Sequence, residues 1–491
     1  MSQLPVLPLL PLLFGAVIAV LAALWRSIAG QITAIVSTAL SLIAALVGLV
    51  TVVGDGAISY DMGGWPPPVG IEYVLDPLSA FLATIVALIG LLIVIYPVDA
   101  AFDLRPARGT PLYPLVLLLL TGLMGVMLSG DLFHLFVFLE IYAISTYGLV
   151  SLGGDKGTFA ALRYLLLGTV GSGLYLLGVG FLYFATGTLN MVDMAESLPA
   201  IADSPTVLGA MALMVTGLGL KMALFPLHVW LPDAHSFSPP GVAALLAAVQ
   251  VKAGAYALIR ILFDVFGPAY TDGGGLPVTT ALIYFGLAGI VVGSWLAIRQ
   301  VDIKRMLAYS TVAQLGYIGL GIGLATPRAL IGALLHVLSH ALMKSGLFLV
   351  AGGIIQRTGI KAIPRFSGLG KVMPWTMGGF AVAALSMVGI PPTAGFFSKF
   401  YLVWGAIDVG NWFVAVVVVA SSMLTMIYFL RLFERIFVVA PREDAIADAS
   451  EPSGRVVATV LVLATAILLV GVFNGLLVSQ LLDPIATRML G

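Results

Sequence analysis

The sequence predicts an all-α polytopic membrane protein of about fourteen spans, with two inverted five-helix repeats and breaks in the seventh and twelfth helices. Hydrophobic residues make up 60% of the 491 and charged residues only 9%, against roughly 25% charged in ordinary soluble domains. Apolar runs long enough to cross a bilayer, about 20 residues each, recur along the whole chain. Glycines at 217, 219 and 241 and prolines at 226, 232, 239 and 240 interrupt one such run, and GIPPTAG at 389–395 interrupts another. Broken helices are tolerated at membrane depth only where protein or a water-lined cavity receives the freed backbone groups.

The composition also excludes several classes. Basic and acidic residues balance at 23 each, which argues against a nucleic-acid partner. Without cysteine there are no disulfides and no thiolate-held zinc or iron-sulfur clusters. The first 25 residues have no basic n-region and no clear cleavage site, so they read as a first span rather than a signal peptide. Short loops leave no room for a nucleotide or cofactor domain.

In order, the first two spans cover about 4–24 and 31–53, and an external-type loop with Asp55, Asp61 and WPPP at 65–68 follows. The third covers about 75–97 and ends in a polar link at 99–110. Spans four and five, about 111–128 and 132–151, are separated only by SGD, and span six covers about 159–185. After an acidic loop, span seven starts near 206 and breaks around Phe225–Pro232, and span eight covers about 241–263. A Gly-rich loop at 267–277 leads to spans nine to eleven, near 279–299, 307–325 and 329–354. Span twelve runs from about 374 to 407 across its break, span thirteen covers 411–437, and a polar loop at 441–455 precedes span fourteen at about 457–481.

Lysine and arginine in short loops mark the cytoplasmic side. They collect after odd-numbered spans, as Arg26; Arg105 and Arg108; Lys156 and Arg163; Arg299, Lys304 and Arg305; Arg357, Lys361, Arg365 and Lys371; and Arg435, Arg442 and Arg455. Arg328 is the clear exception. Both termini are therefore expected on the external side. Spans four to eight and nine to thirteen each have an interrupted fourth helix beside a lysine, and five is an odd number, so the second set is inserted upside down. The expected parts are 1–110 (spans one to three), 111–266 and 279–437 (the two repeats) and 455–491 (span fourteen). Inverted repeats with interrupted helices in matching positions point to a transport site between them.

Ionisable residues inside spans mark ion or proton paths by default. Glu140, well inside span five, is the strongest signal, and Lys221 is its natural partner: each lowers the cost of charging the other, and a charge arriving nearby tips a proton off the lysine. The alternative for Glu140 is a carboxyl neutralised by burial. His134 lies nearer the helix end, as an entrance residue or an ordinary capping or packing one. Lys221 and Lys252 sit in adjacent spans and are placed to hand a proton across the centre. His228 and His235 flank the break in span seven, as bridges through water or as partners of freed carbonyls. His336, His340 and Lys344 recur every four residues and share one helix face. HVLSH lacks the glutamate of HExxH and no acidic residue completes a site, so no metal is expected there. That face is expected to continue the polar line from Lys252 to Lys399, where Gly389, Pro391, Pro392 and Gly395 break helix twelve. Asp302, Lys304 and Arg305 fall at a loop boundary and read as surface anchors or subunit contacts.

Six motifs carry a resemblance: DLFHLFVFLEI at 131–141, LKMALFPLHVWLPDAH at 220–235, VKAGAYALIR at 251–260, VDIKRMLAYSTVAQLGY at 301–317, HVLSHALMKSGLFL at 336–349 and GIPPTAGFFSKF at 389–400. Through them, over essentially its whole length, the chain resembles the antiporter-like subunits of respiratory complex I and of the multisubunit Mrp-type cation/proton antiporters. The resemblance implies that Glu140 and Lys221 form the first half-channel pair, Lys252 the connecting lysine, His336 and His340 the relay histidines and Lys399 the terminal lysine of a second half-channel. Lys399 departs from the M-type complex I subunit, which is similar but carries glutamate there. The chain stops soon after span fourteen, so the lateral helix of the L type is not expected. GTLNMVDMAES at 187–197 and LFVFLEI at 135–141 are most similar to the D-type component of Mrp antiporters, with the N-type component of NADH-quinone oxidoreductase and membrane hydrogenase relatives as alternatives. The implied setting is a bacterial or archaeal cell membrane. There the chain joins other membrane subunits and moves protons, with Na+ as the candidate exchanged cation and no cofactor of its own. Redox catalysis is not expected within it, because no cofactor ligands are evident. A structural assembly subunit with a vestigial charged line is the reading from a different class.

Overall fold

Apolar runs that satisfy all their backbone groups internally can only be helices here, and the computed structural model is a bundle of them. It describes every residue except 1–2, 97–110, 202, 269, 271–275, 442–445 and 447–448. The expected polar link at 99–110, with Arg105 and Arg108, lies outside the described residues. So do Arg442, part of the polar loop around it and part of the Gly-rich loop.

The helices are α1 (Leu10–Trp25), α2 (Ser27–Asp55), α3 (Pro77–Ile95), α4 (Leu112–Leu128), α5 (Leu132–Ser151), α6 (Gly154–Thr186), α7 (Pro205–Met222), α8 (Leu231–Phe237) and α9 (Pro240–Val265). The second half adds α10 (Val278–Ile298), α11 (Ile303–Leu324), α12 (Pro327–Thr358), α13 (Pro374–Val388), α14 (Ala394–Asp408), α15 (Trp412–Val438), α16 (Gly454–Val472) and α17 (Asp483–Leu490). Among the described residues eleven are long and apolar enough to cross a membrane, and α1, α4 and α13 are shorter apolar helices. Together they fill the fourteen predicted places, with α7 plus α8 as span seven and α13 plus α14 as span twelve.

Both breaks fall where glycine and proline put them. Ala223 adopts a left-handed φ of 58° after α7, and Gly389 takes φ 93° after α13. The third helices of the two sets, α6 and α12, have 33 and 32 residues, a likeness in length that joins the matching breaks as a sign of the repeat. The sets meet where α11 packs on α8 and α12 packs on α9. The most apolar window of α9 is wholly buried, whereas one third of that of α2 is. An apolar helix left exposed in this way faces lipid or another subunit. The two ends of the bundle are distinct: Leu4–Val6 and Arg488 gather at the end where α3 begins, and the described links that carry Arg299, Lys304, Arg357 and Lys361 meet at the other, where Asp302 bridges Ala362.

One element was not anticipated. The loop after α2 folds back as a hairpin, β1 (Ile58–Asp61) antiparallel to β2 (Glu72–Leu75), with Ile58 opposite Leu75. It packs against the first turn of the chain, Leu4–Val6, at the terminal end.

Candidate functional site

The first part of the site is set by α5, α6 and α7. Asp131 caps α5 by accepting the His134 backbone N–H at 2.7 Å, and the uninterrupted helix then brings Glu140 to mid-bundle. Its Oε1 accepts the Ser172 hydroxyl of α6 and, at 3.2 Å, the Lys221 ammonium of α7. Lys221 is the penultimate residue of α7 and is fully buried; Glu140 is 27% exposed. Trp230 Nε1 donates at 3.0 Å to the Leu220 carbonyl, which also accepts the Ala223 N–H at the break. Gly254 brings α9 to this point, since a Cβ there would come within 2.6 Å of the Met222 nitrogen.

The centre is built around a wide turn in α9. Residues Leu246–Gln250 are π-helical, so hydrogen bonds loosen and the Ala247 carbonyl accepts the Lys252 ammonium five residues on. Short π segments of this kind recur at functional sites. The Lys344 ammonium of α12 donates to the Leu307 carbonyl at 2.7 Å and to the Ser310 hydroxyl, both on α11. His235 and His340 are completely buried, and each interacts electrostatically with both Lys252 and Lys344. Gln250 donates to the Tyr164 hydroxyl, and Tyr164 stacks on Trp230 at 3.9 Å, which fixes the wall of this centre.

Beyond it, α12 carries the line onward. The rings of His336 and His340 stack at 5.9 Å with planes 9° apart, and His336 Nδ1 is 2.9 Å from Ser398 Oγ. The next residue, Lys399, donates to the Met387 and Val388 carbonyls at 3.0 and 3.1 Å and to Ser422 Oγ at 3.1 Å. Those carbonyls end α13, the negative pole of a half-helix, which suits a cation. The ammonium also lies 5.0 Å from the centroid of the Tyr317 ring. Within 4 Å Lys221 has a carboxylate, whereas Lys252, Lys344 and Lys399 have none among the described residues.

The structure thus brings Glu140 to Lys221, gathers His235, Lys252, His340, Lys344 and His336, and ends the line at Lys399. It does not bring His134 or His228 into it. The His134 ring packs edge-on against Tyr73 and Phe138 and its Nδ1 lies 3.1 Å from Ser129 Oγ. His228 stacks on Phe225 at 5.3 Å, and its Nδ1 has no hydrogen-bond partner among the described residues. Lys304 corrects the reading as a surface anchor: it is 6% exposed and donates to the Ser238 carbonyl.

A second polar cluster escaped the sequence reading. At the terminal end Arg260 holds Asp76 through both terminal guanidinium nitrogens and Asp264 at 2.6 Å, while Arg488 of α17 reaches Asp76 at 2.9 Å. Burial alone would push the Asp76 carboxyl up. Arg260 and Arg488 beside it, with the Ser79 N–H, instead hold it well below the ordinary carboxylate range. The pair lies 184 residues apart, and no local pattern announces it. Arg260 was readable only as the third residue of Lys252, Tyr256 and Arg260, spaced four apart on one face.

The transmembrane family described as NADH:quinone oxidoreductase/Mrp antiporter matches residues 129–425, which contain every residue of this line. The chain is 47% identical over 435 residues to the N-type component of NADH-quinone oxidoreductase from Desulforudis audaxviator, covering 86% of each protein. It is 33% identical over 387 residues to the D-type component of the Na(+)/H(+) antiporter from Alkalihalophilus pseudofirmus, covering 78% of this chain and 77% of that one. A chain in the structure of the Mrp complex from Dietzia sp. DQ12-45-1b superposes with a TM-score of 0.88 at 28% identity, covering 99% and 97%. With a match across well over half its length and a fold shared end to end, this chain belongs to the NADH:quinone oxidoreductase/Mrp antiporter membrane subunit family.

Proposed function

We propose that this chain is the proton-translocating membrane subunit of a multisubunit monovalent cation (Na+)/proton antiporter, moving protons through two linked half-channels. The observation that carries the reading is one ion pair, Glu140 with the buried Lys221, followed by lysines and histidines that lead to Lys399 without a carboxylate among the described residues. In this reading Glu140 sets the charge on Lys221, Lys252 and Lys344 share the centre with His235 and His340, and His336 and Ser398 pass the proton to Lys399. The units 111–266 and 279–437 are its two half-channels, flanked by 1–110 and 455–491. Both termini face outward, in keeping with the lysine and arginine distribution, so the basic end of the bundle is the inward one. The setting is a bacterial or archaeal cell membrane, and other membrane subunits cover the exposed apolar helices.

The 47% identity to an N-type component favours a second reading, in which the same line is driven by electron transfer in a neighbouring part of a quinone-linked complex. The assembly purified in mild detergent, with its subunits identified by mass spectrometry and its proton flux measured in vesicles with and without Na+, decides between them. Small apolar partners and Na+-dependent flux support antiport. Flavin or iron-sulfur partners support redox pumping. Full flux in a Glu140→Gln variant would remove both and leave a purely structural role.

A further inference from the structure

We propose that Lys304 is the proton-exchange residue at the inward mouth of the path, passing protons between the basic-end surface and His235. This rests on the proton-translocating reading above and adds a residue and an entrance to it.

Lys304 occupies a doubly unfavourable place for a cation. It is the second residue of α11, after the Asp302 cap whose carboxylate accepts the Arg305 N–H at 3.0 Å. A positive charge in the first turn opposes the positive pole of the helix, and this one is also buried. No carboxylate lies within 4 Å of its nitrogen among the described residues. Charged groups held in such places at membrane depth are functional candidates by default.

Its position links surface to centre. The ammonium donates to the Ser238 carbonyl, the residue that ends α8. Three residues back on α8, His235 is fully buried among Trp230 and Phe348, with ring centroids at 6.4 and 5.9 Å, and neither ring nitrogen has a protein partner. His235 interacts electrostatically with Lys304 as well as with the central Lys252 and Lys344. Towards the surface, the charges acting on Lys304 are Asp302 and Lys361. Asp233, on the same short helix as His235, is held by Arg163 of α6 at 2.7 Å and by Arg305 of α11 at 3.7 Å. The mouth therefore lies on the seam between the two five-helix units, and an ion triad anchors the half-helix that carries His235. The transfer is a proton exchange with no change of oxidation state. The Lys304 ammonium gives its proton, directly or through water, to an unprotonated His235 nitrogen, the imidazolium passes it to an unprotonated central lysine, and Lys304 takes a new proton from surface water.

The absence of cysteine from this chain makes the test direct. In the intact complex in proteoliposomes, Lys304→Cys should lower the initial proton flux at least tenfold (~10-fold or more). Aminoethyl methanethiosulfonate, which rebuilds an amine of near-lysine length, should then restore flux, while the neutral propyl reagent should not, with labelling of each confirmed by mass. Flux within twofold of wild type (~2-fold), equal rescue by the propyl adduct, or labelling without rescue by the amine overturns the proposal and leaves Lys304 a packing residue. Lys304→Arg covers the case in which the cysteine variant does not assemble, because arginine keeps the charge and the Ser238 bond but does not release its proton. It should be inactive; normal flux again overturns the proposal. Glu140→Gln run in parallel separates the two levels: loss there with retention in both Lys304 variants rejects the mouth alone, and retention in all three rejects the path.

Discussion

Replacing Glu140 by glutamine removes the one carboxylate beside a lysine of the line among the described residues, while keeping the oxygen that the Ser172 hydroxyl bonds. At a separation of 3.2 Å the attraction is about 5 kcal/mol with an effective dielectric near 20. Glu140 is only about a quarter exposed, so most of that attraction stands, and breaking a buried pair by removing one partner typically costs about 3–5 kcal/mol. If proton movement across Lys221 is worked against this interaction, the flux falls by about a hundred- to a few-thousand-fold, at about 1.36 kcal/mol per decade. Glu140→Asp keeps the charge but draws it back by about 1.5 Å, which weakens the attraction by roughly a third and lowers flux about tenfold. The assay is proton flux in proteoliposomes containing the whole assembly, normalised to the amount of this chain, with Lys221→Gln and the double variant completing a cycle. The two single losses should not add, because each already abolishes the pair. Flux within threefold of wild type for Glu140→Gln (~3-fold), or additive losses in the cycle, would refute the coupling of this pair to transport.

Three further outcomes follow from the geometry. His235→Gln should lower flux at least tenfold and His228→Gln less than threefold (~10-fold and ~3-fold), since of these two His235 is the one that interacts with the central lysines; similar effects in the same assay would contradict this placement. Lys399→Glu should change the pH dependence of flux rather than only its size, because an acid replaces a base and repels the carbonyls of Met387 and Val388; a wild-type pH profile would count against a role for that charge. Asp76→Asn should destabilise the chain by about 3–5 kcal/mol in detergent unfolding, and Arg488→Gln by no more than about 1 kcal/mol, because Asp76 is buried against Arg260 whereas Arg488 is 45% exposed. The carboxyl of Asp76 is held below its unfolded value, so its contribution is complete above that value, near pH 4, and is lost as pH falls below it. Equal losses for the two variants, or an Asp76 contribution that grows in acid, would reverse that assignment.

Much of this architecture is legible from hydropathy because a bilayer leaves the chain few choices. Length and polarity count the spans, glycine and proline locate both breaks, and a spacing of four puts His336, His340 and Lys344 on one face. What escaped depends on contacts between distant segments. Lys304 looks like a loop residue because its burial comes from α8, some 66 residues away in sequence. The clasp of Asp76 by Arg260 joins helices whose order in sequence says nothing of their adjacency. Asn190 on Glu72 at 2.7 Å helps seat a hairpin that reads locally as an unstructured, turn-rich loop. The π turn at Leu246–Gln250 has no compositional mark at all, being a run of Leu, Ala, Ala, Val and Gln that any α-helix would accept.

That wide turn has a consequence for how the chain tolerates insertions and deletions. A π turn holds one residue more than the α turn it replaces. Deleting a single alanine from it would restore regular α-helix without altering hydrophobicity, length class or loop composition. Each residue of a regular α-helix advances the side chains by about 100°, but the wide turn already absorbs its extra residue, so removing that residue closes the same turn and leaves the helix beyond it nearly in phase. Lys252 would lose the loosened turn that offers it the Ala247 carbonyl, while Tyr256 and Arg260 would keep their side of the helix and their partners. A one-residue gap here in a related sequence therefore leaves the terminal-end clasp intact, whereas the same gap in a regular turn between Lys252 and Arg260 would rotate the two out of register.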